Sequence, residues 1–209
     1  MKKRTVLALA LIMATVAAGS ASAADEPYVT ARGGLFLPNG KDVGFKYFDT
    51  GYNFEVAAGY RPVPYAAIEA GTGFYSTSGS QANAGKSTDR TAYGVPVTLS
   101  AKGILEFEKL MLSAGAGVGY YFGFINTDHT NSITPGQNFS ESNHGAAVGY
   151  QVLFDADFKL SQHWTVGANF KWFSAKPEIE LKDPTDYTVK KQKWEFGGIN
   201  IDVGAKYFF

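Results

Sequence analysis

The residues able to do chemistry are few, and their spacing suits little of it. His129, His144 and His163 are the imidazoles of a chain without cysteine, so thiolate catalysis, disulfides and cysteine-based metal sites are excluded. No His-x-His or His-Glu-x-x-His spacing exists, and the spacing assigns no metal. His129 and His144 bracket a polar stretch as solvated residues, and His163 falls in a short turn before Trp164. Gly115, Gly117 and Gly119 imitate a dinucleotide fingerprint, but that motif needs a strand-to-helix turn inside a βαβ unit, and none can be read here. The glycines instead leave room on one face of a strand or permit its curvature. Asn138, Phe139 and Ser140 match a glycosylation acceptor in form only. No cofactor is expected and no catalytic group is assigned.

The remaining candidates are charges. Arg32, Lys102, Lys171 and Lys206 share a recurring position with Glu55, Glu69, Asp155, Asp157 and Asp202. Each stands on the more polar side of a segment in which apolar and polar residues alternate. Four positive and five negative groups sharing one confined face must pair, because an unpaired buried charge is costly. What they enclose depends on the elements that carry them.

Eight segments alternate with period two: 28–37, 52–60, 66–75, 91–102, 110–124, 144–158, 164–173 and 198–209. In 91–102, Tyr93, Val95, Val97, Leu99 and Ala101 alternate with Pro96, Thr98, Ser100 and Lys102. In 110–124, Leu112, Ala114, Ala116, Val118, Tyr120 and Phe122 alternate with Ser113, three glycines and Tyr121. The apolar faces carry no charge. A soluble sandwich also alternates, but it fills its hidden face with large aliphatic side chains and charges its outer face. Here the polar face is rich in Gly, Ala, Ser and Thr beside both signs of charge, as a narrow barrel lumen requires. The apolar face gathers aromatics near strand ends, among them Tyr52, Phe74, Tyr93, Phe124, Trp164, Trp172, Tyr207 and Phe209, as two interfacial girdles would.

Connections alternate too. The stretches 38–51, 76–90, 125–143 and 174–195 are long and polar, while 61–65, 103–109 and 159–163 are short. Long external loops, short periplasmic turns and both termini on the short side belong to a transmembrane barrel. The expected fold is all-β: an eight-stranded antiparallel up-and-down transmembrane β-barrel, with four long extracellular loops.

Composition agrees. The 209 residues hold 24 Gly, 16 Phe and 12 Tyr, yet mean hydropathy is only −0.12. Charged residues are 18%, against about a quarter in soluble domains. Lys plus Arg and Asp plus Glu both number 19, so no polybasic surface for nucleic acid is advertised. Lys2, Lys3 and Arg4 precede an apolar core that ends in Ala21, Ser22 and Ala23, the pattern of a signal peptide cut before Ala24. The expected domains are therefore a cleaved Sec-type signal over 1–23 and a barrel over 24–209, the latter with a net charge of −3. No later stretch offers the ~18 consecutive apolar residues of a spanning helix.

The mature chain resembles the small eight-stranded outer-membrane barrels of Gram-negative bacteria, the OmpA-type transmembrane domain and OmpW-like proteins. The resemblance rests on Gly51-Tyr-Asn-Phe-Glu-Val-Ala-Ala-Gly-Tyr60, on Ser113-Ala-Gly-Ala-Gly-Val-Gly-Tyr-Tyr121 and on Val203-Gly-Ala-Lys-Tyr-Phe-Phe209. It implies an outer-membrane location, contact with lipid and lipopolysaccharide, and passage through periplasmic chaperones and the barrel-assembly machinery. In that family a terminal Phe with apolar residues at alternate positions before it is read during assembly, a pattern that Ile201, Val203, Ala205, Tyr207 and Phe209 fit. Some outer-membrane barrels are enzymes, and the lipid A deacylases of similar size use His and Ser two residues apart on a membrane-facing strand. Here Asn131, Ala146 and Thr165 occupy those places, so no enzyme is expected. A structural or surface role in the envelope comes first. The alternatives are a narrow facilitator for small hydrophobic molecules and an adhesin or ligand-binding protein acting through its loops. Within an eight-stranded barrel the inward charges are expected to form a plug of ion pairs, since such a barrel has room for side chains or one small ligand.

Overall fold

A computed structural model describes residues 26–39, 48–83, 86–131, 139–182, 189–193 and 196–209. The signal segment and its cleavage residues Ala21, Ala23 and Ala24 lie outside the described residues. Ten strands follow in order: β1 (Glu26–Pro38), β2 (Gly51–Val63), β3 (Ala66–Asn83), β4 (Lys86–Phe107), β5 (Leu110–Asn131), β6 (Phe139–Lys159), β7 (Trp164–Ala175), β8 (Glu178–Lys182), β9 (Val189–Lys193) and β10 (Phe196–Phe208). Eight of them close an antiparallel barrel in the order β1-β10-β7-β6-β5-β4-β3-β2, and β8 pairs with β9 in a separate hairpin. Closure gives every membrane-level strand two neighbours, so the backbone groups of the wall find partners without water. No described helix is long and apolar enough to cross a membrane, and strands do the crossing.

Period-two alternation sets which side chains face lipid. Val97 and Val118 are 54% and 58% exposed on the outside, while Thr98 and Ser100 between the outward residues of β4 are buried inside. Two aromatic girdles bound this apolar band. Near the outer end Tyr52, Phe74, Tyr93 and Phe124 follow one another across β2 to β5 with ring centroids 6.2, 6.1 and 4.9 Å apart. Near the inner end Tyr207 meets Trp164 at 5.0 Å and Phe209 at 5.2 Å. Pro96 sits within β4, where the β3–β4 ladder passes from Thr72–Val97 to Tyr75–Gly94. Its missing N–H falls in that gap, and its carbonyl accepts the Thr72 hydroxyl at 2.8 Å.

The expected long loops are corrected in part. The stretches 76–90 and 125–143 are largely strand: β3 and β4 stay paired out to Asn83–Lys86, and β4 and β5 out to Lys86–Asn131. Beyond the outer girdle no face meets lipid, so the apolar alternation fades, while backbone groups still need partners. One side of the barrel wall, β3 to β6, therefore continues outside as paired strands. The stretch 174–195 likewise contains the β8–β9 hairpin. At the other end the connections are short: Glu108 and Lys109 join β4 to β5, with Glu108 at φ 37° taking the left-handed turn position.

Candidate functional site: a filled lumen

The inward side chains stack in three layers. At the periplasmic end Tyr28, Ala67, Ile104, Met111 and Phe208 form an apolar base. Below it the mouth is braced by Arg61, which donates from Nε to the Pro64 carbonyl at 3.0 Å and pairs with Glu26 at 3.3 Å and Glu106 at 2.6 Å. Lys159 closes on the same Glu106.

The middle layer holds the charges. Arg32, Glu55, Glu69, Lys102, Asp155, Asp157, Lys171, Asp202 and Lys206 are all buried. Arg32 Nη2 donates to Glu69 Oε1 at 2.8 Å, while its Nη1 stands 3.6 Å from both Glu55 and Asp155. Lys102 Nζ bridges Glu69 at 2.7 Å and Asp155 at 3.0 Å. Lys171 pairs with Glu55, and Lys206 with Asp157. Neutral donors complete the acids: the Ser113 hydroxyl reaches Asp155 at 2.7 Å, Asn169 Nδ2 reaches it at 2.6 Å, and the Tyr28 hydroxyl reaches Glu69 at 3.1 Å. Eight of the nine charges thus have an opposite charge in contact. Asp202 has none among the described residues. The void between Tyr28, Lys102, Met111, Ser113, Lys206 and Phe208 measures about 10 Å³, at most one water's space.

The outer layer is aromatic. Phe36, Tyr75, Ala92, Tyr121, Ile125, Phe173, Ala175 and Phe196 pack into a buried cluster across the lumen. Tyr121 stacks on Phe173 at 5.4 Å and 4° between planes, and Tyr75 lies 5.0 to 5.4 Å from Phe36, Phe173 and Phe196. The Tyr121 hydroxyl donates to Gln151 Oε1 at 3.2 Å, and Gln151 Nε2 donates to the Ser100 hydroxyl at 2.6 Å, tying the rings to the polar layer. Sequence reasoning missed this cluster. Its signal was present in Phe36, Tyr75, Tyr121 and Phe173, large rings on faces otherwise made of small and polar residues.

The other candidate residues stay apart. His144 lies opposite Phe124 and His129 opposite Phe139, five rungs apart on the β5–β6 ladder, or about 17 Å at strand spacing. His163 Nδ1 meets the Phe208 carbonyl at 3.0 Å, and its ring stacks on Tyr207. Among the described residues no three His, Asp or Glu side chains gather as a metal cluster. At the C-terminus Ile201, Val203 and Phe209 are exposed on the outer surface, with Ala205 and Tyr207 partly covered. The Phe208 amide donates to the His163 carbonyl at 2.8 Å, on the β7 side of β10, and the Phe209 amide donates to the Pro27 carbonyl at 3.1 Å, which secures the seam between β10 and β1.

A family model described as an outer membrane protein beta-barrel domain matches residues 6–207. Similar solved structures include outer membrane protein OprG from Pseudomonas aeruginosa, with TM-score 0.61 and 12% identity over 90% of this chain and 97% of that one. A major outer membrane protein from Thermus thermophilus gives TM-score 0.56 and 13% identity over 89% of this chain and 100% of that one. Neisserial surface protein A gives 0.52 and 13% over 90% of this chain and 99% of that one. At such identities the likeness is one of fold. No curated protein matches the chain.

Proposed function

The chain belongs to the outer membrane protein β-barrel domain family and lies in the bacterial outer membrane, and we propose that it serves there as a closed, non-catalytic barrel that reinforces the envelope and presents its outer strands to the exterior. The observation that carries this reading is the lumen, filled by paired charges in the middle and by stacked rings at the outer end. An eight-stranded barrel is too narrow to leave an aqueous channel around such a filling. In this reading its partners are lipid and lipopolysaccharide, and during assembly periplasmic chaperones and the barrel-assembly machinery. Ile201, Val203, Ala205, Tyr207 and Phe209 form the terminal signal for that machinery. The test is a deletion strain: envelope resistance to detergents should fall while uptake of small polar solutes stays unchanged. Unchanged resistance together with slower uptake would overturn the reading.

A second reading is favoured by the aromatic cluster, because stacked apolar rings just inside the outer mouth are a surface on which a small hydrophobic molecule can lie. As a facilitator, the barrel would need Phe36, Tyr75 and Phe173 to part. Transfer of such molecules into barrel-containing vesicles, faster than into empty ones, is the result that favours it.

A further inference from the structure

Among the described residues the middle layer of the lumen holds five acids for four bases, and the surplus falls on one residue. Asp202 on β10 is only 1% exposed. Neither of its carboxylate oxygens accepts a hydrogen bond of good geometry, although the Asn53 side chain lies alongside. The nearest bases are committed elsewhere, Lys171 to Glu55 and Arg32 to Glu69. A carboxyl group this deeply buried needs either a proton or a compensating cation.

Apart from the Asn53 amide, the surroundings offer unpartnered oxygens rather than donors. Asp202 faces Asn169 on β7 and Gly34 on β1, and Gly34 in turn faces Asn53 on β2, so these positions share one level of the wall. Asn200 is the next inward residue of β10 toward the outer end. The side-chain carbonyl oxygens of Asn53, Asn169 and Asn200 are buried and accept no hydrogen bond. Two of these amides are fixed in orientation by their nitrogens. Asn53 Nδ2 donates to the Leu35 carbonyl at 3.0 Å, and Asn169 Nδ2 donates to the Phe154 carbonyl at 3.3 Å and to Asp155 at 2.6 Å. Gly34 lets β1 approach β10 closely here, since a Cβ would fall 2.1 Å from the Ile201 carbonyl oxygen and 3.0 Å from Asp202 Oδ1.

We propose that Asp202, with the side-chain oxygens of Asn53, Asn169 and Asn200, binds one monovalent alkali cation between the charged layer and the aromatic cluster. Carboxylate and amide oxygens are hard donors suited to hard cations. Charge decides the valence: one positive charge neutralises the surplus, whereas a divalent ion would replace it with a surplus of the opposite sign. The ion completes the network of ion pairs and stabilises the folded barrel by binding it and not the unfolded chain.

The test uses the full barrel in detergent, exchanged into choline chloride. Thermal unfolding is then followed with sodium, potassium or choline chloride at equal ionic strength. Sodium or potassium should raise the midpoint saturably, and Asp202→Asn should abolish the shift. Should that variant fail to fold, Asn200→Ala should raise the cation concentration needed for half the shift. Thallium(I), a scattering stand-in for potassium, should give an anomalous peak beside Asp202 in crystals of the unmodified protein. Equal midpoints in all three salts with no thallium peak would overturn the proposal. So would a cation shift that survives in Asp202→Asn. A midpoint indifferent to cations but rising as pH falls would also overturn it, by showing a proton in the ion's place.

Discussion

Lys171 and Glu55 form the pair on which the lumen argument can be isolated, because Lys171 has Glu55 as its contact while the other bases are shared or bridged. Lys171→Ala should leave buried Glu55 with only its 3.6 Å contact to Arg32, which is already engaged by Glu69, lowering unfolding stability by about 3 kcal/mol. The double variant with Glu55→Ala should recover part of that loss in a double-mutant cycle, read by heat or denaturant unfolding. Additive losses would mean that the two groups do not interact. Gly117 behaves differently from what its small, inward position suggests. A Cβ there would stand 2.4 Å from the Ser100 hydroxyl and 2.5 Å from the Leu99 carbonyl. Gly117→Ser should therefore cost about 1–3 kcal/mol by overpacking, and an unchanged unfolding midpoint would contradict it. At this scale the sequence showed which charges share the inner face. It could not show who pairs with whom, because partners such as Lys171 and Glu55 sit 116 residues apart and meet across the lumen.

The strands were legible wherever one face meets lipid. Val97 and Leu99 lie outside while Thr98 and Ser100 lie inside, so a charge at position 97 must enter the apolar band. Val97→Arg should cost about 2–4 kcal/mol in bilayer refolding if the site is near the midplane. Equal stability of variant and parent would contradict the strand's register. The same physics explains what was missed. Past Tyr93 and Phe124 the strands leave the membrane, polar residues suit both faces, and the period-two signal that identified β3, β4 and β5 disappears although their pairing continues. The aromatic cluster was missed for a related reason: Ile125, Ala175 and Phe196, which help to hold it, fall outside the alternating stretches.

The whole molecule is a closed ring whose last residue lies on its outer surface. Phe209 is 67% exposed, and its contribution to the fold is one hydrogen bond to Pro27 and a ring contact with Tyr207. Deleting Phe209 should reduce outer-membrane assembly in cells while leaving refolding in detergent nearly unchanged. Equal assembly of the truncated and full chains would show that the terminal residue carries no signal. The central claim, however, is that side chains shut the lumen. Single-channel recording of the unmodified protein in planar bilayers tests it most directly. A barrel closed by its ion pairs and its stacked rings should give no sustained conductance, and a large, stable conductance from the same protein would contradict the account.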